Sequence, residues 1–263
     1  MTQPPEVLLF DLFGTLVFFD DSRIPQMEVQ GRRFPSTVRD LPGLLSREAP
    51  GVTLARFVEE LGRAGREIQE RRRAEGIEVH TSVRFIRALR GVGLGHHDSE
   101  RLGRGMAESH MDSLARAVVS PPGRRGLLDS LATRFRLGLL SNFDDGPTAR
   151  RVLAEAGLED RFEVVLVSAD EGLRKPNRAL FSRACERLGV PASRTLYIGD
   201  TWEEDVLGAS GAGLGALWVR RRAADAEPQD PPPSPALGAI EDVEELPEWL
   251  EASGFSARGA ASR

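Results

Sequence analysis

Lysine is nearly absent from this chain of 263 residues: of its 35 basic side chains 34 are arginine, and the one lysine is Lys175. Lysine is a compact ammonium on a flexible stem and arginine a wide planar fork, so a site built for the first shape excludes the second. Cysteine is as scarce. The single Cys185 excludes an intrachain disulfide and an all-cysteine zinc site, in keeping with a reducing compartment. No stretch approaches the roughly 18 consecutive apolar residues that span a bilayer. The apolar N-terminus lacks a basic leader and is interrupted by Asp11, so it does not read as a signal peptide. Nor is there an excess of positive charge: a net charge of −5 gives no general affinity for nucleic acid or an anionic membrane surface. What remains, 40% hydrophobic and 29% charged, is the composition of an ordinary globular protein, expected in the cytoplasm.

Five short apolar runs stand out: Val7–Phe10, Phe135–Leu140, Val164–Val167, Thr195–Ile198 and Ala216–Val219. Their brevity and their β-branched or aromatic content predict strands buried on both faces. Helical patterns separate the later runs. One opens at Pro147 and ends at Gly157; another opens at Pro176 and ends at Gly189, with Leu180, Phe181, Ala184 and Leu188 on its inner face. Strand alternating with helix predicts an α/β fold with a doubly wound parallel sheet. A last short strand and helix are expected over Ala239–Glu251, after an extended proline-rich loop at Glu227–Pro235.

Residues 20–117 differ. They show arginine-rich helical patterns near Leu54–Ala74, Thr81–Arg90 and Asp98–Ala117 and no convincing strand, which predicts an inserted all-α cap whose arginines form a solvated face. The expected organisation is therefore a core of residues 1–19 and 118–251, a helical cap of residues 20–117, and a disordered tail of residues 252–263. Two decoys are set aside. Gly208–Gly215 follows a helix and precedes a strand, the reverse of a dinucleotide loop, and reads as a helix cap and turn. The pair His96-His97 has no spaced partner for a metal.

Polar residues follow four of the runs: Asp11 after the first, Ser141 and Asn142 after the second, Asp170 with Lys175 after the third, and Asp200 after the fourth. In an open parallel sheet, ligands bind beyond the carboxyl ends of the strands. Turns favour Asp, Ser and Asn in any protein, but four such positions together with the lone lysine point to one site. The stretches Phe10-Asp-Leu-Phe-Gly-Thr-Leu16, Leu140-Ser-Asn142, Arg174-Lys-Pro176 and Ile198-Gly-Asp-Thr-Trp-Glu-Glu-Asp205 resemble, in order, the four motifs of the haloacid dehalogenase-like hydrolase superfamily.

The resemblance implies a capped hydrolase for a small anionic substrate. Asp11 would be the nucleophile that forms an aspartyl-phosphate. Backbone N–H groups at Gly14 and Thr15 would bind phosphate oxygens, with Ser141 and Asn142 also at the substrate and Lys175 supplying positive charge. Asp11, Asp200 and the Phe13 carbonyl would hold Mg²⁺, with Asp205 supporting the shell. One residue departs from the pattern. Phosphatases of the superfamily usually carry an aspartate two positions after the nucleophile as general acid and base, and here that position is Phe13. General acid–base catalysis is typically worth about 10²–10⁴-fold. Dehalogenases of the superfamily carry a non-acidic residue there and use no metal, yet they also replace the metal-binding aspartate that this chain keeps as Asp200. Their early cap arginine has candidates in Arg32, Arg33 and Arg39. Three readings follow: a Mg²⁺-dependent phosphatase, a metal-independent 2-haloacid dehalogenase, and a ligand-binding protein of the same fold with little turnover.

Overall fold

The computed structural model describes residues 4–29, 31–220 and 232–255. Six parallel strands form the central sheet: β1 (Val7–Phe10), β6 (Arg136–Ser141), β7 (Val164–Val167), β8 (Thr195–Gly199), β9 (Gly215–Val219) and β10 (Gly238–Ile240), in the order β10-β9-β8-β1-β6-β7. All four residues of β1 are buried, because β1 lies between β6 and β8 and is covered on both faces. Its side chains alternate, as a strand requires. Leu8 and Phe10 join one layer with Leu128, Val152 and Leu246, while Val7 and Leu9 join the other with Phe181, Leu188 and Tyr197. The helices behind those layers are α5 (Arg124–Ala132), α6 (Gly146–Glu155), α8 (Arg178–Leu188), α9 (Gly208–Gly211) and α10 (Leu246–Ala252), with the single turn α7 (Ser168–Glu171) following β7.

Local chemistry sets the helix ends. Asp145 caps α6 through the Thr148 N–H at 2.9 Å, and Gly189 closes α8 in the left-handed region at φ 62°. Helix α8 begins two residues beyond Pro176, because Asn177 takes the capping position by accepting from the Ala179 N–H. Gly208–Gly211 is a short helix leading through a turn into β9, as its order implied.

The chain leaves the core through β2 (Phe18–Phe19) and returns through β5 (Val118–Val119), which pair antiparallel as a narrow ribbon. Between them α1 (Leu41–Glu48), α2 (Leu54–Glu75), α3 (Ser82–Gly91) and α4 (His96–Ala117) enclose a core of their own around Phe57, Phe85, Leu89 and Met106. The insert is helical but not wholly so. Strands β3 (Gln26–Val29) and β4 (Arg32–Pro35) pair as an antiparallel hairpin, against the expectation of no strand. Both strands are short and mostly exposed, with Met27 half-buried, so the pair lacks the buried apolar run that marks a strand of the central sheet. Helix α1 also lies outside the expected patterns.

Of the tail expected to be disordered, residues 256–263 lie outside the described residues. Ala252 instead ends α10, and the Phe255 ring packs on Trp249 with centroids 5.9 Å apart. Of the proline-rich loop, residues 227–231 also lie outside. Among the described residues no helix is long and apolar enough to cross a membrane.

Candidate active site

The loop leaving β1 is shaped by one close approach. The Asp11 N–H donates to the Ile198 carbonyl at 2.9 Å, extending the sheet by one residue and fixing the carboxylate at its edge. The backbone then turns at Gly14, φ 85°, whose N–H donates to the Val17 carbonyl at 2.8 Å. A Cβ at residue 14 would lie 2.3 Å from Asp200 Oδ2, so only glycine lets this loop pass the end of β8. Thr15 follows, fully buried, with its hydroxyl oxygen unpartnered; the Ser141 hydroxyl at the end of β6 is likewise buried and unpartnered. Buried hydroxyls without a partner are rare and mark a place where a ligand's oxygens belong.

Lys175 is 1% exposed and lies among acceptors. Its Nζ is 3.0 Å from Asp11 Oδ1 and 2.7 Å from Asp205 Oδ1, and it donates to the Tyr197 hydroxyl at 2.6 Å. That hydroxyl in turn donates to the Leu140 carbonyl at 2.9 Å. Three N–H donors thus meet three oxygens, which a guanidinium fork could not do in the same space. Burial pulls the Lys175 ammonium down, but Asp11 and Asp205 outweigh it and hold the group above its ordinary value, so it stays charged.

The carboxylates carry the opposite strain. Burial raises Asp11 to about 7, with Lys175 opposing and Asp205 and Asp200 adding to the rise. Burial and the neighbouring Asp205 raise Asp200 to about 6. Asp11, Asp200 and Asp205 present oxygens within 4.8 Å of one another, the one such acidic cluster among the described residues. One lysine cannot neutralise three carboxylates. An all-oxygen donor set with surplus negative charge is what a hard divalent cation such as Mg²⁺ takes, and the unpartnered Thr15 and Ser141 hydroxyls leave room for oxygen ligands beside it. Asp205 is itself held from behind, accepting from the Thr201 N–H at 2.9 Å, and a Cβ at Gly199 would lie 2.5 Å from its carboxylate.

Asn142, expected at the substrate, spends its side-chain amide on the protein itself. Its amide oxygen accepts from the Lys175 N–H at 2.8 Å, and its NH₂ donates to the Lys175 carbonyl at 3.0 Å and to Glu204 at 2.8 Å. It therefore clamps the lysine's backbone. Asp170 is also elsewhere, paired with Arg150 at 2.6 Å. The Phe13 ring stacks between Phe19 and Phe143, with centroids 5.1 and 4.4 Å away.

Three contributions were not read from the sequence. Tyr197 is the chain's only tyrosine, bonded to its only lysine; that double scarcity was a usable signal. The Trp218 indole donates to the Asp200 carbonyl at 2.9 Å and steadies the fourth motif. From the cap, the Glu78 carboxylate, 1% exposed, pairs with Arg72 at 2.7 Å and Arg174 at 3.5 Å, while Arg174 reaches Glu204 at 2.8 Å. This network joins cap and core one residue from Lys175. Of the candidate cap arginines, Arg33 is 79% exposed beside Glu28 and Arg39 is exposed near Ser109; the Arg32 side chain lies outside the described residues.

The model of the haloacid dehalogenase-like hydrolases matches residues 5–213. The chain belongs to that family. The chain is 32% identical to the phosphoglycolate phosphatase of Rhodospirillum rubrum over 254 residues, 94% of this chain and 91% of that protein. It is 30% identical to the pyrimidine 5'-nucleotidase YjjG of Escherichia coli over 53% of this chain and 61% of that protein. With the phosphoserine phosphatase of Thermus thermophilus the match spans only 55% of the relative's length. Among solved structures, the 2-haloacid dehalogenase of Pseudomonas syringae superposes with a TM-score of 0.66 at 23% identity, covering 95% of this chain and 99% of that one. The magnesium-bound HAD-hydrolase YfnB of Bacillus subtilis follows with 0.58 at 22%, over 95% and 100%. At such identities the structures speak for the fold alone, cap included.

Proposed function

We propose that this hydrolase is a Mg²⁺-dependent phosphatase of small phosphorylated metabolites, working through a phosphorylated Asp11. The observation that carries the reading is the surplus of carboxylate. A metal-independent dehalogenase has no use for Asp200 beside Asp11, whereas a cation held by Asp11, Asp200 and the Phe13 carbonyl neutralises that repulsion. Two carboxylates about 4 Å apart repel by roughly 4 kcal/mol at an effective dielectric near 20. Bound there, Mg²⁺ offsets this and draws charge from the phosphoryl oxygens.

The chain's own groups supply the rest. An Asp11 carboxylate oxygen attacks phosphorus as the ester P–O bond breaks and its electron pair leaves with the alcohol oxygen. Lys175, kept charged by its neighbours, and the Ser141 hydroxyl stabilise the transferring oxygens, together with the Thr15 N–H, whereas the Gly14 N–H expected there is already spent on the Val17 carbonyl. Water then cleaves the aspartyl-phosphate, releasing phosphate and restoring Asp11. Phe13 moves no proton, so the leaving group departs as its own anion or takes its proton from water. The reading therefore favours substrates that leave as weak bases.

Phe13 also favours the dehalogenase reading, in which the leaving halide needs no proton. One assay separates the readings: an aryl phosphate, a sugar phosphate and chloroacetate, each with Mg²⁺ and with excess chelator, on wild type and Asp11→Asn. The expected result is Mg²⁺-dependent hydrolysis of the aryl ester, slower hydrolysis of the sugar ester, and no turnover by the variant. Chelator-insensitive release of chloride would overturn it. No turnover of any compound would favour the ligand-binding reading.

A further inference from the structure

The cap holds a cavity of about 780 Å³ between the β3–β4 hairpin and α2, α3 and α4. That volume falls in the range of small-molecule sites, about 300–1,000 Å³. None of its lining residues belongs to the four motif stretches. Most of the wall is apolar, and two of its side chains, Val58 at 47% and Phe34 at 43%, are among the most exposed large hydrophobic residues of the described chain. Exposed apolar groups gathered at one opening mark a binding mouth.

A polar cluster of Arg84, His110 and Thr37 interrupts this wall beside the hydroxyls of Ser36 and Thr53, and its hydrogen bonds fix its character. Arg84 Nη2 lies 3.1 Å from His110 Nε2, and His110 Nδ1 lies 2.6 Å from the Thr37 hydroxyl. A guanidinium only donates, so Nε2 accepts and Nδ1 carries the proton. Nδ1–H then donates to Thr37, whose own hydroxyl proton is left to donate elsewhere. Burial, with Arg84 alongside, lowers His110 to about 4, so the ring is neutral. Phe85 fixes the pair: the Arg84 guanidinium lies over its ring at 5.0 Å, and His110 meets it edge-on at 5.5 Å. Arg84 Nε is buried without a partner. Among the described residues no carboxylate forms an ion pair with Arg84, which feels Asp144 only as a more distant charge. The cavity thus offers the Arg84 guanidinium and the Thr37 hydroxyl proton in a mostly apolar wall, whose other polar side chains are Ser36, donating to the Val38 carbonyl at 2.8 Å, and Thr53, accepting from the Arg56 N–H at 3.3 Å.

We propose that the cap carries a second ligand site, separate from the catalytic cluster, for an apolar monocarboxylate: Arg84 and Thr37 take the carboxylate, and the hydrocarbon lies along Leu54, Val58 and Leu61. A carboxylate supplies the acceptors that these donors lack, and its charge complements the buried guanidinium. An apolar tail covers the exposed mouth.

Calorimetric titration of the full chain with decanoate tests this, with 1-decanol as the uncharged control. Decanoate should saturate one site per chain and bind more tightly than the alcohol. Arg84→Met should weaken decanoate by about 10- to 100-fold, the loss of a charge-assisted hydrogen bond, and leave decanol unchanged. Val58→Glu, at an exposed position that does not threaten folding, should weaken decanoate at least about tenfold by like charge at the mouth. Asp11→Asn should bind decanoate as wild type does. The proposal is overturned by non-saturable binding, by decanoate affinity unchanged in Val58→Glu, or by loss of decanoate binding in Asp11→Asn.

Discussion

Replacing the lone lysine is the sharpest perturbation this chain allows, because Lys175→Arg and Lys175→Met separate charge from shape. The ammonium is fully buried, with Asp11 at 3.0 Å, Asp205 at 2.7 Å and Tyr197 at 2.6 Å. Methionine removes the charge and leaves Asp11 and Asp205 facing each other in the interior. Breaking a buried pair from one side costs about 3–5 kcal/mol, and that is the expected loss near pH 8. The loss should shrink in acid. Asp11 is raised from 3.8 to about 7, so between those values the folded state holds a proton that the unfolded state lacks, and stability falls as pH rises. Without the lysine that carboxyl takes its proton more readily still, so near pH 5.5 the two proteins should differ by about 2 kcal/mol or less. Arginine keeps the charge but must fit a wide fork among three acceptors; overpacking of this kind costs about 1–3 kcal/mol. Denaturant unfolding followed by Trp202 and Trp218 fluorescence, at both pH values, measures these differences, and turnover should drop at least about 100-fold in both variants. If Lys175→Arg retains wild-type stability within about 0.5 kcal/mol and more than about a tenth of the activity, the site does not need a lysine's shape. The survival of one lysine among 34 arginines would then carry no meaning.

Three further outcomes follow from the same geometry. Mg²⁺ at about 100 times its dissociation constant should stabilise the wild type by about 2.7 kcal/mol, and Asp200→Ala should erase that gain in thermal unfolding; an equal gain in both proteins would place the metal elsewhere. Glu78→Gln, removing a carboxylate 1% exposed between Arg72 and Arg174, should cost about 3 kcal/mol, whereas Glu75→Gln in the exposed pair with Arg71 should cost far less; equal costs in denaturant unfolding would refute the cap–core network. His110 is lowered from 6.5 to about 4, so acid protonates the unfolded state first, and stability is lost as pH falls through that window, by up to about 3 kcal/mol; His110→Gln should flatten that part of the stability–pH profile.

The strands and the polar residues at their ends were legible because both are local signals. Val7–Phe10 is apolar on two faces because it is covered on two faces, and Asp11, Ser141, Lys175 and Asp200 lie where a parallel sheet delivers its ligands. The rest depends on separations that no spacing encodes. Tyr197 meets Lys175 across 22 positions, and Ser168 donates to Glu78 across 90. The β3–β4 hairpin is short and exposed, Phe34 included, and turns at Gly31, φ 75°. Asn142 misled for a related reason: an amide can bind a phosphate or a peptide group equally well, and only the fold shows that the backbone of Lys175 is its partner.

Phe13 shows why a departure from a family pattern is not only a statement about chemistry. Read alone, it subtracts a general acid. In the fold it is the middle plate of three rings, with Phe19 on the β2–β5 ribbon and Phe143 just beyond the second motif. Each aromatic pair is worth about 0.5–1.5 kcal/mol beyond its buried area, so the stack ties the Asp11 loop to the β2–β5 ribbon and to the strand that carries Ser141. An aspartate placed at 13 would put a carboxyl at a half-buried position two residues from Asp11, between Phe19 and Phe143. Desolvation and like charge would both raise its pKa, and the stack would be lost. Restoring the acid by this one substitution therefore costs the stack. Positions 13, 19 and 143 act as a unit, and an acid that served this site would have to come from outside that unit, from water or from the cap.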